Sequence, residues 1–163
     1  MNRIILSILT LTILVSACNK ADNENYEHQP IGTFCVGTKT YVANQVSVIE
    51  SSLGVTIHAA STETNPAGFR IWLADIPEVS NVYPIVRFEG GRVLPGRLSA
   101  VSLERENRSY YTIDSNNSVA SVNVNGNSVT IIIPEVIATN FFDETDRTKI
   151  SARITFVKSL KNK

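Results

Sequence analysis

The chain has 163 residues, of which 15 are basic and 15 acidic, so its formal net charge is zero. Because it has no basic tract, it has nothing with which to neutralise a phosphate backbone, and this argues against a nucleic-acid partner. Hydrophobic residues make up 43% of the chain and aromatic residues 7%, which is typical of a folded domain. The length corresponds to one domain plus a short N-terminal segment.

The first 17 residues are typical of an export signal. A positive start at Arg3 precedes an almost unbroken apolar run from Ile4 to Val15, and the small residues Ser16-Ala17 follow. As a helix, this run of about 12 residues spans about 18 Å, too short for a bilayer core of about 30 Å. We therefore predict a cleaved signal over residues 1–17 and not a transmembrane anchor.

A cysteine follows this signal directly. The stretch "LVSACNK", residues 14–20, resembles the lipobox of bacterial lipoproteins, in which the cysteine sulfur takes a diacylglycerol and the chain is cleaved before it. The resemblance implies that Val15, Ser16 and Ala17 fill the peptidase pocket and that Cys18 is lipidated, which attaches the protein to a membrane. A thiolate suits this alkylation because it is a strong nucleophile. The alternative is an ordinary secretory signal that happens to meet a cysteine.

Residues 18–30 are predicted to be a flexible tether between lipid and domain. From Asn19 to Pro30 the chain is polar and mildly acidic and ends in proline. In the lipoprotein sorting rule, Asp after the cysteine retains the protein at the inner membrane. Asn19 stands there, so we expect the outer membrane, at its periplasmic face or at the cell surface.

The second cysteine, Cys35, lies in the apolar stretch "GTFCVGTKTYV". If Cys18 is used for the lipid, Cys35 cannot form a disulfide within the chain. We expect Cys35 to be buried as a small hydrophobic residue, with a reactive thiol as the alternative.

Residues 31–163 are predicted to form a single all-β domain. Short runs of Val, Ile, Thr, Tyr and Phe are separated by Gly, Asn, Ser and Pro. Besides the hairpin described next, the predicted strands are 32–36, 39–43, 46–51, 54–60, 69–74, 83–88, 98–104, 109–113 and 148–157. About ten short strands favour a two-layer antiparallel β-sandwich, with a β-barrel as the alternative.

The clearest local signal is the segment "SVASVNVNGNSVTIIIP", residues 118–134. Asn125-Gly126 between two alternating strands predicts a hairpin with a two-residue type I′ turn. This turn predicts three cross-strand pairs, Val124 with Asn127, Val122 with Val129, and Ala120 with Ile131. We expect Pro134 to end the second strand because it has no N–H to donate.

The order of these segments is similar to that of small bacterial lipoproteins with a domain of unknown function. The stretches that carry the resemblance are "GTFCVGTKTYVA", "GVTIHAAS", "FRIWLADI", "NVNGNSVTIIIPEV" and "DRTKISARITFVKS". They cover most of the mature chain but contain no catalytic motif, and a glycine common at the start of the last strand is missing before Phe156. The resemblance implies a β-sandwich attached to the cell envelope, with no assigned activity.

Catalytic and metal-binding patterns are weak in this sequence. Of its two histidines, His28 lies in the tether and His58 in a predicted strand with its side chain away from the core face, and no G-x-S-x-G motif is present. Asp143, Glu144 and Asp146 could offer oxygens to calcium, but without the calcium-loop pattern we expect a solvated loop. We therefore predict no metal and no cofactor.

Two further groups of side chains could serve a ligand or a reaction. Trp72 and Arg70 share one face of the predicted strand 69–74 and, if that face is open, form a stacking platform for a sugar or a peptide; otherwise Trp72 belongs to the core. Tyr110-Tyr111 and Phe141-Phe142 are adjacent pairs, so if they lie in strands one member of each pair must point away from the other. Carboxylates for glycoside cleavage could come from Asp75, Glu78, Glu89 and Asp114.

Together these patterns predict a lipid-anchored, non-enzymatic module that binds a glycan, a peptide or another partner in the envelope. One alternative is a hydrolase that uses loop carboxylates on an envelope or extracellular polymer. Another is an assembly protein whose exposed strand edge adds to the sheet of a partner.

Overall fold

The computed structural model describes residues 31–62, 67–90, 92–103, 108–112 and 118–158. The predicted signal and tether, and with them Cys18 and His28, lie outside these residues. The described residues form eleven β-strands and no helix. The strands are β1 (Gly32–Val36), β2 (Lys39–Ala43), β3 (Gln45–Ser51), β4 (Gly54–Ser61), β5 (Ala67–Leu73), β6 (Asn81–Pro84), β7 (Leu98–Leu103), β8 (Ser109–Thr112), β9 (Val119–Asn125), β10 (Ser128–Asn140) and β11 (Arg147–Val157).

All described strands belong to one antiparallel sheet, in the order β2-β1-β11-β10-β8-β7-β5-β4-β3. In addition, β9 pairs with the first part of β10, and β6 pairs with β9. Only Asn44 separates β2 from β3, the two ends of this order, so the sheet folds back on itself and is nearly barrel-shaped. The prediction of an all-β antiparallel fold, with a barrel as its alternative form, is confirmed.

The strands follow the period-2 pattern of their side chains. In β4, Val55, Ile57 and Ala59 are buried while the residues between them are half-buried, and the same alternation runs through β11 from Ile150 to Phe156. The central strand β5 differs, because six of its seven residues are buried. Both faces of β5 are therefore covered.

The hairpin between β9 and β10 forms, but its predicted register is wrong. Val124 lies opposite Val129, and Val122 lies opposite Ile131. The loop residues are therefore Gly126 and Asn127, with Gly126 at the positive φ of 57° that this turn requires. The observed register pairs Val124 with an apolar residue instead of Asn127, and it leaves every side chain on its predicted face because the shift is even.

The prediction that Pro134 ends its strand is also wrong. The strand β10 continues to Asn140, and its pairing with β11 is irregular between Ile133 and Val136. Pro134 lies in this bulge, where its missing N–H removes no bond from a regular ladder. Before the bulge β10 pairs with β9, and after it β10 pairs with β8. The bulge therefore lies where β10 changes its partner strand.

The main core lies between the two sides of the folded sheet. There the Phe34 ring stacks on Tyr41 at 5.1 Å and contacts Phe69 at 5.6 Å, joining β1 and β2 to β5. A smaller cluster lies outside β5, β7 and β8 and contains the buried side chains of Trp72, Val93, Val101 and Tyr111.

The outer cluster is covered by the segment that follows β6. The Val86 N–H donates to the Leu98 carbonyl at 2.8 Å, and the Phe88 N–H donates to the Thr112 carbonyl at 3.0 Å. Through these two bonds residues 86–88 lie beside β7 and β8, and Phe88 lies over Trp72. This also explains why the predicted strand 83–88 ends at Pro84 in β6, since the chain leaves β9 there for new partners.

Candidate functional sites

A row of four aromatic rings runs from the outer cluster to the surface. Trp72 contacts Phe88 at 4.5 Å between ring centroids, Phe88 meets Phe141 edge-on at 5.8 Å, and Phe141 contacts Tyr111 at 4.6 Å. Trp72 is 9% exposed, Phe141 is 44% exposed, and the neighbouring Phe142 is 71% exposed. We call Trp72, Phe88, Tyr111 and Phe141 the aromatic row. Within the row Trp72 and Tyr111 are buried, and Phe141 is the exposed member.

The predicted pair Trp72 and Arg70 is not an open platform in this arrangement. Arg70 is exposed, but Phe88 covers Trp72, so the ring of Trp72 presents no free face to a ligand. Ligand binding by Arg70 stays a prediction. The adjacent tyrosines do lie on opposite faces of their strand. Tyr110 packs in the main core and Tyr111 in the outer cluster, as the alternation of a strand requires.

Phe141 and Phe142 lie in a turn between β10 and β11 that is held by its own polar side chains. We call residues 140–146 the aromatic turn. Asn140 Oδ1 accepts a hydrogen bond from the Phe142 N–H at 2.9 Å. Asp143 Oδ1 accepts from the amide and the hydroxyl of Thr145, at 2.9 and 2.6 Å. The conformation that presents Phe142 is therefore fixed before any ligand arrives.

The carboxylates of the aromatic turn take part in this internal network. Asp146 Oδ2 accepts hydrogen bonds from the Tyr110 hydroxyl at 3.0 Å and from Asn140 Nδ2 at 2.9 Å. The hydroxyl of Thr145, and then its amide, lower the pKa of Asp143 below its ordinary value. Among the described residues no group of three or more His, Cys, Asp or Glu side chains is arranged to hold a metal ion.

Arg87 lies beside the aromatic row. Its Nη2 donates to the Tyr111 hydroxyl at 3.3 Å, and its guanidinium carbon lies 5.6 Å from the centroid of the same ring. The same Nη2 is 3.6 Å from Glu144 Oε1 in an exposed ion pair. Beside the aromatic row, the cationic donor Arg87 therefore lies close to the carboxylate acceptor Glu144.

A cavity of about 480 Å³ opens elsewhere on the domain. Glu50, Asp75 and Glu78 line it together with Lys158, and the apolar part of its wall includes Val55 and Ile76. Lys158 Nζ donates to Glu78 Oε2 at 3.0 Å, and the Lys158 side chain is only 14% exposed. The cavity therefore combines an apolar wall with several hydrogen-bond acceptors and one largely enclosed ammonium group.

The structure brings together two of the four predicted carboxylates. Asp75 and Glu78 both line the cavity, whereas Glu89 lies elsewhere on the surface and Asp114 is outside the described residues. Glu50 is the acid that the sequence did not indicate. It comes from β3, far from Asp75 in the chain, and only the pairing of β3 with β4 and of β4 with β5 brings the two segments together.

The cavity and the aromatic turn lie at opposite ends of β11. The Ile31 carbonyl, at the start of the described domain, accepts a hydrogen bond from Thr155 N–H, and Lys158 of the cavity follows three residues later. The aromatic turn ends just before Arg147, eight residues ahead of Thr155, which is about 27 Å of strand. The chain therefore enters the domain close to the cavity and far from the aromatic turn.

His58 is half-buried in β4, opposite Arg70 of β5. Burial, and then the charge of Arg70, lower its pKa below the ordinary value, so the neutral imidazole is favoured. His58 lines neither the cavity nor the aromatic row. We therefore assign it no part in either site.

Cys35 is half-buried in β1, with its Sγ 3.4 Å from Thr40 Oγ1. The expectation that Cys35 forms no disulfide within the chain stays a prediction. A sulfur in a disulfide cannot also carry a lipid, so the lipidation of Cys18 needs a test that separates the two states.

Comparison with known proteins finds no match, either among family models or among curated proteins and solved structures. In the described part of the chain, no helix has the length and apolar character needed to cross a bilayer.

Proposed function

We propose that the mature protein is a lipid-anchored, non-enzymatic binding module of the cell envelope, with its ligand in the cavity. The resemblance of residues 14–20 to a lipobox supports an anchor at Cys18, and the polar residues 19–30 have the composition of a tether. Asn19, in place of Asp, supports attachment to the outer membrane. The ligand is a small glycan or a peptide of the envelope.

The cavity is the observation that carries the binding function. Its volume of about 480 Å³ falls within the range of ligand sites, which is roughly 300 to 1,000 Å³. Carboxylates only accept hydrogen bonds, and the ammonium group of Lys158 already donates to Glu78. A ligand that fits this lining supplies donors, such as the hydroxyls of a sugar or the amino group of a peptide.

A carboxylate hydrolase is the second candidate, because Glu50, Asp75 and Glu78 line one cavity. Glycoside cleavage needs one carboxyl that stays protonated near neutral pH, and enzymes achieve this by removing that group from water. All three acids are exposed in the cavity, and Glu78 is paired with Lys158. None of the three carboxyls is therefore withdrawn from water, so the lining suits ligand binding better than acid–base cleavage.

The test is a binding screen on the purified lipidated protein in detergent, against short glycans and short peptides. We expect a hit that is weakened about 10- to 100-fold by Asp75→Asn, because a hydrogen bond to a charged group contributes about 1.5–3 kcal/mol. Glu89→Gln is the matched control, since it removes an exposed charge away from the cavity.

Two results would contradict the proposal. One is a ligand that binds the Asp75→Asn protein as well as it binds the unchanged protein. The other is release of cleaved product that stops in Asp75→Asn, which would establish the hydrolase instead.

A further inference from the structure

We propose that the aromatic turn is a second binding surface, separate from the cavity, and that its ligand is a neutral polysaccharide chain whose sugar rings stack on Phe142. This surface rests on its own observations and does not depend on the cavity.

The first observation is that a large apolar ring is held in water by a rigid support. Phe142 is 71% exposed and its neighbour Phe141 is 44% exposed. The bonds from Phe142 N–H to Asn140 and from Thr145 to Asp143 fix the turn. Phe141 also packs against Phe88 and Tyr111, so the base of the turn is held by the sheet. A turn whose backbone is held in this way loses little conformational entropy on binding.

The second observation is the chemistry of the charged side chains in and beside the aromatic turn. One face of a sugar ring carries C–H groups that pack on the negative face of an aromatic ring, while its hydroxyls need both donors and acceptors. Arg87 supplies donors, and Asp143 and Glu144 supply acceptors. Arg87 Nη2 lies 3.6 Å from Glu144 Oε1. Charges of both signs lie side by side, which suits a neutral polyhydroxyl better than a strongly charged ligand.

The same chemistry disfavours two other occupants. Insertion of Phe142 into a bilayer would carry the adjacent Asp143 and the nearby Glu144 out of water, which is costly for charged groups. Protein interfaces are depleted of charged residues at their centres, whereas here the exposed ring is next to an acidic side chain.

The third observation is the distance between the aromatic turn and the point where the chain enters the domain. About 27 Å of β11 separates the aromatic turn from the point where the chain enters the domain. If the lipid is attached through residues 18–30, this turn is on the part of the domain farthest along β11 from the anchor. A long polymer in the surrounding space can therefore reach it without passing the membrane.

The test is affinity electrophoresis of the purified lipidated protein in detergent gels that contain dextran, a soluble β-glucan or a mannan. We expect at least one of these neutral polysaccharides to retard the protein. Phe142→Ala should weaken the retardation at least about tenfold, and Phe142→Trp should restore it, because stacking needs the ring and not its identity. Val82→Ala, which changes another exposed apolar residue on β6, should migrate as the unchanged protein does.

Three results would overturn the proposal: no retardation by any of the three polymers, equal loss in Val82→Ala, or Phe142-dependent flotation of the Cys18→Ser protein with phosphatidylethanolamine–phosphatidylglycerol vesicles. The last result would identify a membrane contact instead. Asp75→Asn separates the two sites, because it should weaken cavity binding about 10- to 100-fold and leave the retardation unchanged. Loss of one activity without the other therefore shows which proposal has failed.

Discussion

The two ends of β11 present opposite kinds of surface. At one end, Lys158 closes a concave cavity lined by acids, next to the start of the domain at Ile31. At the other end, the aromatic turn exposes Phe142, and its neighbour Phe141 packs in the aromatic row. One long hairpin, β10 with β11, positions both ends, because Asn127 and Lys158 lie at its open end and residues 140–146 at its tip. A single hairpin thus carries two chemically different candidate sites, one at each end.

Removal of the side chain that supports the aromatic end should have the largest effect. Trp72→Ala should lower the free energy of unfolding by about 3–5 kcal/mol, because the ring is buried beneath Phe88 and its loss leaves a cavity. Urea unfolding measures this change. Ile49→Ala, at a residue that is 56% exposed, should change stability by no more than about 0.5 kcal/mol.

The same variant tests whether the two ends of β11 bind their ligands independently. Under conditions where the Trp72→Ala protein remains folded, polysaccharide retardation should weaken because the row beneath Phe141 has collapsed. Cavity binding should persist. A loss of stability below about 1 kcal/mol would show that Phe88 does not cover Trp72 in solution.

A smaller effect concerns the charge that fixes the aromatic turn. The pKa of Asp143 is lowered mainly by the Thr145 hydroxyl, so the turn gains stability from the ionised carboxylate. Because the folded pKa lies below the ordinary value of 3.8, this contribution is complete at neutral pH and is lost as the pH falls through the lowered pKa.

An NMR titration of the Asp143 carboxyl carbon tests this assignment. In Thr145→Val the pKa should move up toward 3.8, since the amide bond remains while the larger cause is removed. Thr148→Val, in β11, should leave the titration of Asp143 unchanged. An unshifted midpoint in Thr145→Val would mean that the hydroxyl does not hold the carboxylate.

Most of the strands could be predicted because a sheet with one buried face repeats every two residues. The bounds of β1 and β2 were predicted without error, and those of β4 and β7 within one residue. The failures lie where long-range partners decide the outcome. Pro134 is tolerated because the pairing of β10 with β11 bulges there, and the register at Gly126 is set by the pairing of Val124 with Val129.

The sites were predicted only in part, for the same reason. Asp75 and Glu78 were candidates, but their meeting with Glu50 depends on strand order and not on local sequence. Trp72 was placed on the correct strand, yet nothing local to it shows that a segment after β6 brings Phe88 across its face. Local patterns therefore show which residues are suited to a site, and the tertiary fold decides which of them meet.

We propose that a lipid on Cys18 anchors the protein beside the cavity end, and mass spectrometry of the N-terminal peptide tests this proposal most directly. The protein should be isolated from membranes and digested without reduction. We predict a peptide that begins at Cys18 and carries a thioether-linked diacylglycerol. A peptide that retains residues 1–17, or one in which Cys18 is joined to Cys35 by a disulfide, would contradict the anchor and with it the orientation of both sites.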